Sequence, residues 1–406
     1  MLRCGLLGKK LGHSYSPRIH ARMGDYGYLL FEKAEEELQE FLRSGPWDGL
    51  NVTIPYKKTV LPCCTSLSAA AEKTGSVNTL VRLPGGGIYG DNTDVGGFLT
   101  TVRSSGLALR GQKCLVLGSG GASAAVCAAL EDLGAEAVVI SRRGENNYGN
   151  LSRHRDAVFL VNATPLGMFP ENGASPVDLT LFPRCRGVFD LIYNPARTAL
   201  LLQAEALGIP GFGGLRMLTA QAAKSSEDFT GIPVDPAAVE RIEEELRRET
   251  ENIVLIGMPG CGKSTLAALL GKATGREVLD ADAILAEKAG CSIPEIFAEE
   301  GEEGFRRRET AVLAELGKLS GKVLATGGGC VTREENYPLL RQNGRIFWLR
   351  RDPEKLPREG RPLSQAGDLA EMARVREPLY RRFAEETIDN NGAPEETLRR
   401  ILEAIR

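Results

Sequence analysis

The stretch Gly257-Met-Pro-Gly-Cys-Gly-Lys-Ser-Thr265 restricts the folds open to this chain more than any other. It fits the pattern G-x-x-x-x-G-K-[ST], with the apolar run Ile253-Val-Leu-Ile before it and a helical apolar pattern over 266–270 after it. A strand that turns through glycines into a helix points backbone N–H groups and the positive helix end at one spot, and that spot binds phosphate. Lys263 can reach the terminal phosphates of a nucleotide, and the Ser264 hydroxyl can ligate magnesium. A turn that merely capped a helix would have no use for the Lys-Ser pair. The segment predicts a parallel α/β domain that takes a nucleotide and Mg2+, with Gly260, Cys261, Gly262, Lys263, Ser264 and Thr265 around the nucleotide.

A second glycine turn, Gly118-Ser119-Gly120-Gly121-Ala122, follows Cys114-Leu-Val-Leu and opens a small-residue helical pattern over 123–130, the setting of a dinucleotide fold. The next apolar run, 137–140, ends at Ser141-Arg142-Arg143, where an NAD enzyme would present an acid to the ribose. A basic pair there favours the 2'-phosphate of NADP. Further short apolar runs at 158–161, 187–190 and 345–349 read as buried strands of parallel sheets. The charged segment 235–250 carries Val239, Ile242 and Leu246 at helical spacing and predicts the last helix of the first half, running into a linker at 246–252.

A chain of 406 residues has room for two or three domains. Its 50 Lys and Arg against 53 Asp and Glu offer no excess charge to draw it to nucleic acid or anionic membrane. The 9 cysteines form no CxxC pair or metal-ligand spacing, and the odd number suits a reducing compartment. No segment has the length of apolar sequence a membrane span needs. The expectation is a cytoplasmic enzyme acting on small molecules, its oligomeric state open.

In the second half, Asp280-Ala-Asp282 follows a strand-like Glu277-Val-Leu, Phe305-Arg306 sits in a charged helical stretch, Thr326-Gly327-Gly328-Gly329 follows another apolar run, and Arg361-Pro-Leu precedes Arg376-Glu-Pro-Leu-Tyr380. At these residues the chain from about 251 to 406 resembles shikimate kinase. The resemblance implies that Asp280 with Ser264 holds magnesium, that Asp282 accepts hydrogen bonds from shikimate hydroxyls, and that Arg306 and Arg376 grip its carboxylate. It further implies that Gly327, Gly328 and Gly329 approach the ring, and that Arg361 closes on the phosphates from a lid, with Arg358 a candidate for the adenine. Lys263, Asp282 and Arg361 would be the catalytic residues. A small anionic polyol does call for a guanidinium pair and for an acid beside the attacking hydroxyl. An isolated arginine on a helix is more often a surface or ion-paired group, the reading given to Arg307 and Arg308.

The first half holds His13-Ser14-Tyr-Ser16-Pro, Asn51-Val-Thr53-Ile-Pro-Tyr-Lys57, Gly75-Ser-Val-Asn78-Thr, Gly90-Asp-Asn-Thr-Asp94, Asn162-Ala-Thr164-Pro-Leu-Gly, Asp190-Leu-Ile-Tyr193 and Met217-Leu-Thr-Ala-Gln221. In this order they resemble shikimate dehydrogenase over residues 1 to about 245. Carried across, Ser14, Ser16, Thr53, Asn78 and Gln221 would contact substrate and Lys57 with Asp94 would form the catalytic pair. Asn162, Thr164, Tyr193 and Met217 would border the nicotinamide. Reduction of a ketone needs a positioned proton donor, which Lys57 supplies and a neighbouring carboxylate keeps charged. Taken singly, Asp94 would read as a helix cap and Lys57 as a surface charge. Ser123 occupies the third glycine position of the dinucleotide turn, and only 20 positions lead from Arg142 to Asn162, so part of the crossover between two strands is expected to be missing.

The predicted architecture is a substrate domain at 1–102 completed by 213–245, a Rossmann-like NADP domain at 103–212 and a P-loop kinase domain with a parallel sheet at 251–406. The activity implied is NADPH-dependent reduction of 3-dehydroshikimate followed by ATP-dependent phosphorylation of shikimate. Two rivals are a quinate/shikimate dehydrogenase using NAD, and a metabolite-sensing regulator that keeps the folds without the catalysis.

Overall fold

The computed structural model describes residues 1–12, 14–356 and 369–405, and it divides into two compact units. The first unit comprises Met1–Met168, Ala174–Tyr193 and Leu200–Glu245. It contains two sheets. The first is built from β1 (Arg3–Gly8), β2 (Gly27–Glu32), β3 (Gly49–Val52), β4 (Ser66–Leu67), β5 (Thr79–Arg82) and β6 (Ile88–Asp91), in the order β2-β1-β3-β5-β6-β4. It is mixed: β1 runs parallel to β2 and β3, while β5 is antiparallel to β3 and to β6. One face is closed by Leu7, Phe41, Trp47, Leu50, Tyr56 and Leu80.

The second sheet is wholly parallel, with β7 (Lys113–Leu117), β8 (Glu136–Ile140), β9 (Phe159–Asn162), β10 (Gly187–Asp190) and β11 (Gly211–Phe212) in the order β11-β10-β9-β7-β8. Side chains alternate across a strand, so a sheet covered on both faces needs unbroken apolar strands. In β7, Cys114 and Val116 enter one core with Phe98, Val126 and Phe189, while Leu115 and Leu117 enter the other with Leu160, Val188 and Leu200. Between β8 and β9 the chain has one 3-10 turn, Leu151–His154, where a crossover helix would otherwise lie. The short spacing predicted this.

The helix Leu215–Thr230 packs on Thr93–Ser105 so closely that a Cβ on Gly97 would stand 2.8 Å from the Met217 carbonyl oxygen. Helix Pro236–Thr250 follows, as the apolar spacing predicted, with Ile242 and Leu246 buried. Within the stretch 246–252 expected to join the two halves, the helix runs on to Thr250 and the next strand starts at Asn252. Leu246 is completely buried, which holds the last helical turns in place, and Asn252 donates from Nδ2 to the Leu319 carbonyl at 2.6 Å.

The second unit comprises 246–406 together with Phe169–Gly173 and Asn194–Ala199. Its sheet is parallel throughout, with β12 (Asn252–Ile256), β13 (Val278–Asp280), β14 (Val323–Ala325), β15 (Gly344–Arg350) and β16 (Glu386–Asp389) in the order β13-β14-β12-β15-β16. All five residues of β12 are buried, and the loop that leaves this central strand enters the helix Lys263–Thr274. Among the described residues no helix is long and apolar enough to cross a membrane.

Candidate active sites

In the first unit, Lys57 and Asp94 meet. Lys57 Nζ donates to Asp94 Oδ2 at 2.5 Å, and the two side chains are only 17% and 9% exposed. Asn78 Nδ2 donates to the other carboxylate oxygen at 2.9 Å and reaches Gln221 Oε1 at 3.5 Å. Asp94 is no helix cap: Asn92 holds that position at the start of Thr93–Ser105, and the Asp94 side chain is spent on Lys57 and Asn78. A carboxylate bound by an ammonium and an amide is fixed in position, and it holds the ammonium in turn. Asn78 is itself held, its Oδ1 accepting from the Thr93 backbone N–H at 2.8 Å.

Beneath this lies a buried hydroxyl network that the motifs did not reveal. Ser225 Oγ accepts from Asn51 Nδ2 at 2.7 Å, lies 2.9 Å from Thr79 Oγ1 and 3.1 Å from Thr93 Oγ1, and donates to the Gln221 carbonyl at 2.9 Å. It fastens the helix that carries Gln221 to β3, β5 and the start of Thr93–Ser105. Ser225 has an interval of 4 from Gln221, the same helical face, and that spacing was the available signal.

Ser14 Oγ accepts from the Ser16 backbone N–H at 3.2 Å. Between them Tyr15 packs its ring on Tyr193 at 4.9 Å, and burial pushes the Tyr193 hydroxyl up to about 12, with Tyr15 adding to the effect. Thr53 is half-buried, its backbone N–H donating to the Leu7 carbonyl at 2.9 Å. The glycine turn lies beside Lys57: a Cβ on Gly121 would stand 3.6 Å from Lys57 Cδ. One on Gly118 would stand 3.0 Å from Thr164 Cγ2, which brings the β9 loop to the same turn. Asn162 shapes that loop, accepting from the Thr164 backbone N–H at 3.0 Å and donating to Asp190 at 3.0 Å. Met217 is buried, Ser119 and Gly120 are exposed and Ala122 is half-buried. At the end of β8, Ser141 N–H donates to the Asn146 carbonyl at 3.1 Å and Arg142 and Arg143 are exposed.

In the second unit, the loop after β12 needs its glycines, since Gly260 and Gly262 take φ of 81° and 102°. Lys263 is buried and lies along the loop, donating to the Gly257 and Met258 carbonyls at 2.8 and 3.1 Å. Cys261 is buried and its carbonyl accepts from Asn390 Nδ2 at 2.5 Å, while Ser264 and Thr265 are exposed. Ser264 Oγ donates to Asp280 Oδ2 at 2.7 Å. The other Asp280 oxygen caps the helix Ala281–Ala289 by accepting from the Asp282 and Ala283 N–H groups at 3.1 and 3.3 Å. Hydroxyl and carboxylate therefore share one locus beside the phosphate loop.

The three glycines after Thr326 are closely approached, Gly328 by a proline ring and backbone and the other two by side-chain ends. A Cβ on Gly327 would stand 2.8 Å from Asp282 Oδ1, one on Gly328 2.5 Å from the Pro259 ring, and one on Gly329 would overlap the Arg306 guanidinium. The run thus joins Asp282, the phosphate loop and Arg306 around a floor of bare backbone. Arg376 Nη1 donates to the Gly328 carbonyl at 3.2 Å, and Tyr380 Oη donates to the same oxygen. Arg306 is buried with Glu309, Nη1 to Oε2 at 2.6 Å, and its Nη2 reaches Glu302 at 3.2 Å. Burial pushes the Glu309 carboxyl up, and Arg306 pulls against it. Glu309 went unnoticed among the motifs, although its place one turn from Arg306 was visible. Arg308 pairs with Glu300 at 2.5 Å at the surface, as expected of it, and Arg307 is exposed. Arg361 and Arg358 lie outside the described residues, as does His13.

Comparison with known proteins agrees with this division. The family model described as shikimate dehydrogenase substrate binding domain matches residues 6–80, and that of shikimate kinase matches 259–406. The shikimate dehydrogenase (NADP(+)) of Clostridium perfringens is 34% identical over 265 residues, covering 60% of this chain and 97% of its own. Among solved structures, a chorismate mutase/shikimate 5-dehydrogenase fusion protein from Clostridium acetobutylicum is similar at 37% identity and TM-score 0.57, covering 61% of this chain and 97% of its own. Shikimate 5-dehydrogenase from Thermus thermophilus, in complex with NADP(H) and shikimate, is similar at 33% identity and TM-score 0.54, covering 60% of this chain and 99% of its own.

Proposed function

We infer the workings of two active sites from one premise: the chain belongs to the shikimate dehydrogenase family and carries, beyond that part, a shikimate kinase domain, which makes it a bifunctional enzyme of the shikimate pathway. The first activity is NADP-dependent, and the kinase domain implies ATP. In the first unit Lys57 donates a proton to the alkoxide that forms as the 3-dehydroshikimate ketone is reduced. NADPH supplies the hydride. Asp94 keeps Lys57 charged and, through its place in the pair, sets the direction of that proton. Ser14, Ser16, Thr53, Asn78 and Gln221 hold the substrate, and Arg142 with Arg143 favours NADP over NAD. The observation that carries this reading is the 2.5 Å Lys57–Asp94 pair, both members largely shielded from water and the glycine turn at its side.

In the second unit Asp282 takes the proton from the attacking shikimate hydroxyl, the carboxylate of shikimate rests on Arg306 and Arg376, and Lys263 swings from the loop carbonyls to the phosphates. The Ser264 hydroxyl and Asp280 carboxylate form the hard-oxygen set that magnesium prefers, and these two would hold it. Magnesium there offsets charge on the phosphates. A cytoplasmic location goes with this reading, since all nine cysteines are free thiols.

The test is one reaction with full-length protein, 3-dehydroshikimate, NADPH and magnesium ATP, following NADPH loss while mass spectrometry scores products. Shikimate 3-phosphate in step with NADPH use is the expected result. Shikimate that accumulates unphosphorylated would defeat the kinase assignment. Consumption of NADH with quinate formed from its ketone would favour the quinate reading, and silence of both halves would favour a sensor.

A further inference from the structure

Strand β15 ends at Arg350, and the next residue, Arg351, belongs to none of the motifs above. It is half-buried, and its Nη1 lies 3.9 Å from where a Cβ on Gly262 would stand. Its Nε is sealed from solvent and has no hydrogen-bond partner. Among the described residues no carboxylate pairs with it, although Asp352 is the next residue; the Asp352 backbone N–H donates to Asn391 Oδ1 at 2.9 Å, and its carboxylate lies 3.9 Å from Lys355. Asn390, which holds the Cys261 carbonyl, stands on the same side of Gly262. The guanidinium is thus set by the ends of β15 and β16 against the phosphate loop.

Electrostatics make this an odd place for a lone cation. Gly262 is the N-cap of Lys263–Thr274, and the start of a helix carries roughly half a positive charge. Lys263 adds a full one, buried on the loop. A third positive group there, partly withdrawn from water and without an acid partner among the described residues, raises the energy of the empty loop and lowers that of a loop holding a polyanion. A surface arginine with no ligand to meet would turn to solvent or to a nearby acid.

We propose that Arg351 is a nucleotide-binding residue, its guanidinium donating charge-assisted hydrogen bonds to phosphate oxygens of the ATP held by the 257–265 loop. The proposal rests on the reading of this unit as an ATP-dependent kinase and adds to it a contact from outside the motifs. Arginine suits the task because its fork is always charged and matches phosphate geometry.

The experiment uses full-length protein with Arg351→Met, which keeps the apolar stem, and Arg351→Lys, which keeps the charge. KM for ATP at saturating shikimate is measured, together with calorimetric binding of ADP and of adenosine. A charge-assisted hydrogen bond of this kind corresponds to a loss of about 10- to 100-fold. Arg351→Met is expected to weaken ATP and ADP by that factor, to leave adenosine, the KM for shikimate and the dehydrogenase rate within about twofold, and Arg351→Lys to recover part of the loss. ADP binding within about twofold of the parent protein would overturn the proposal, and so would equal weakening of adenosine, which would move the contact to the base. Parent protein that binds ADP yet never phosphorylates shikimate would remove the kinase reading, while the ADP isotherms would still decide Arg351. Should Arg351→Met fail to fold, the Arg351→Lys isotherm alone decides: it is expected to fall between parent and the calculated loss, and one indistinguishable for ATP, ADP and adenosine would overturn the assignment.

Discussion

Asp228 supplies a prediction with an unusual sign. It lies on Leu215–Thr230, its side chain is only 9% exposed, Oδ1 accepts from Lys224 Nζ at 2.9 Å, and Oδ2 is buried without a partner. The Asp91 carboxylate, which accepts from Ser68 and from the Asn92 backbone N–H, bears on it from β6. Burial pushes the Asp228 carboxyl up to about 6, with Lys224 opposing and Asp91 adding, against an ordinary value of 3.8. Since the folded pKa is the higher one, the stabilising contribution is complete below about pH 3.8 and is lost as pH rises through about 6. Most acids in folded proteins behave in the opposite way. Asp228→Asn keeps an acceptor for Lys224, offers an N–H to Asp91 and does not ionise. Two pKa units correspond to at most about 3 kcal/mol, and the partly exposed Lys224 screens the site, leaving about 1–2 kcal/mol. The variant is expected to gain that much over the parent between about pH 4.5 and about pH 8, or about 2–6 °C in Tm. Trp47 reports on the first unit once Trp348, the other of the 2 tryptophans, is replaced by Phe. Denaturation series at several pH values in that background give the difference directly. If parent and Asp228→Asn lose or gain stability in parallel across this range, the argument from the Asp91–Asp228 pair is refuted.

Other outcomes follow from the same geometry. Lys57→Met should lower the dehydrogenase kcat by about 10²- to 10⁴-fold while the kinase rate stays unchanged, checked on one preparation with separate assays. Arg142→Ala combined with Arg143→Ala should raise the KM for NADPH and leave that for NADH alone; equal effects on both would remove the 2'-phosphate assignment. Glu309→Ala leaves Arg306 buried with only the half-exposed Glu302, and should destabilise the second unit by about 3–5 kcal/mol in chemical denaturation. Gly328→Ala should cut the kinase rate without touching the dehydrogenase, since its methyl meets the Pro259 ring of the phosphate loop.

Much of this was legible in the sequence because the features concerned are local. The strand before each glycine turn, the basic pair closing β8 and the missing crossover helix follow from order and spacing along the chain. Lys57, Asn78, Asp94 and Gln221 could be named from their motifs, but their meeting brings together four separate segments and is a matter of folding. Ser225 and Glu309 escaped because a buried hydroxyl or carboxylate on a helix looks like any other until its partners are known. Arg351 escaped for a different reason: its interest comes from where folding places it beside Gly262 and from its lack of an ion-pair partner among the described residues, neither of which has a pattern in a sequence. The helix before the second unit was legible from the spacing of Val239, Ile242 and Leu246, and Glu, Arg and Leu are good helix formers through its last turns.

The floor made by Gly327, Gly328 and Gly329 also bears on how the second unit can evolve. At Gly328 a first side-chain carbon would meet the Pro259 ring and backbone, whereas at Gly327 and Gly329 it would meet only side-chain ends, the Glu309 and Asp282 carboxylates and the Arg306 guanidinium. With shikimate placed on this floor as proposed, drift in acceptor preference, or escape from a competitive inhibitor that lies there, falls first to the side chains at its edge, Asp282, Arg306 and Arg376. Arg306 is tied to Glu309 and Arg376 to the floor itself. An inhibitor that draws its affinity from the backbone would leave the enzyme few single-residue routes to resistance.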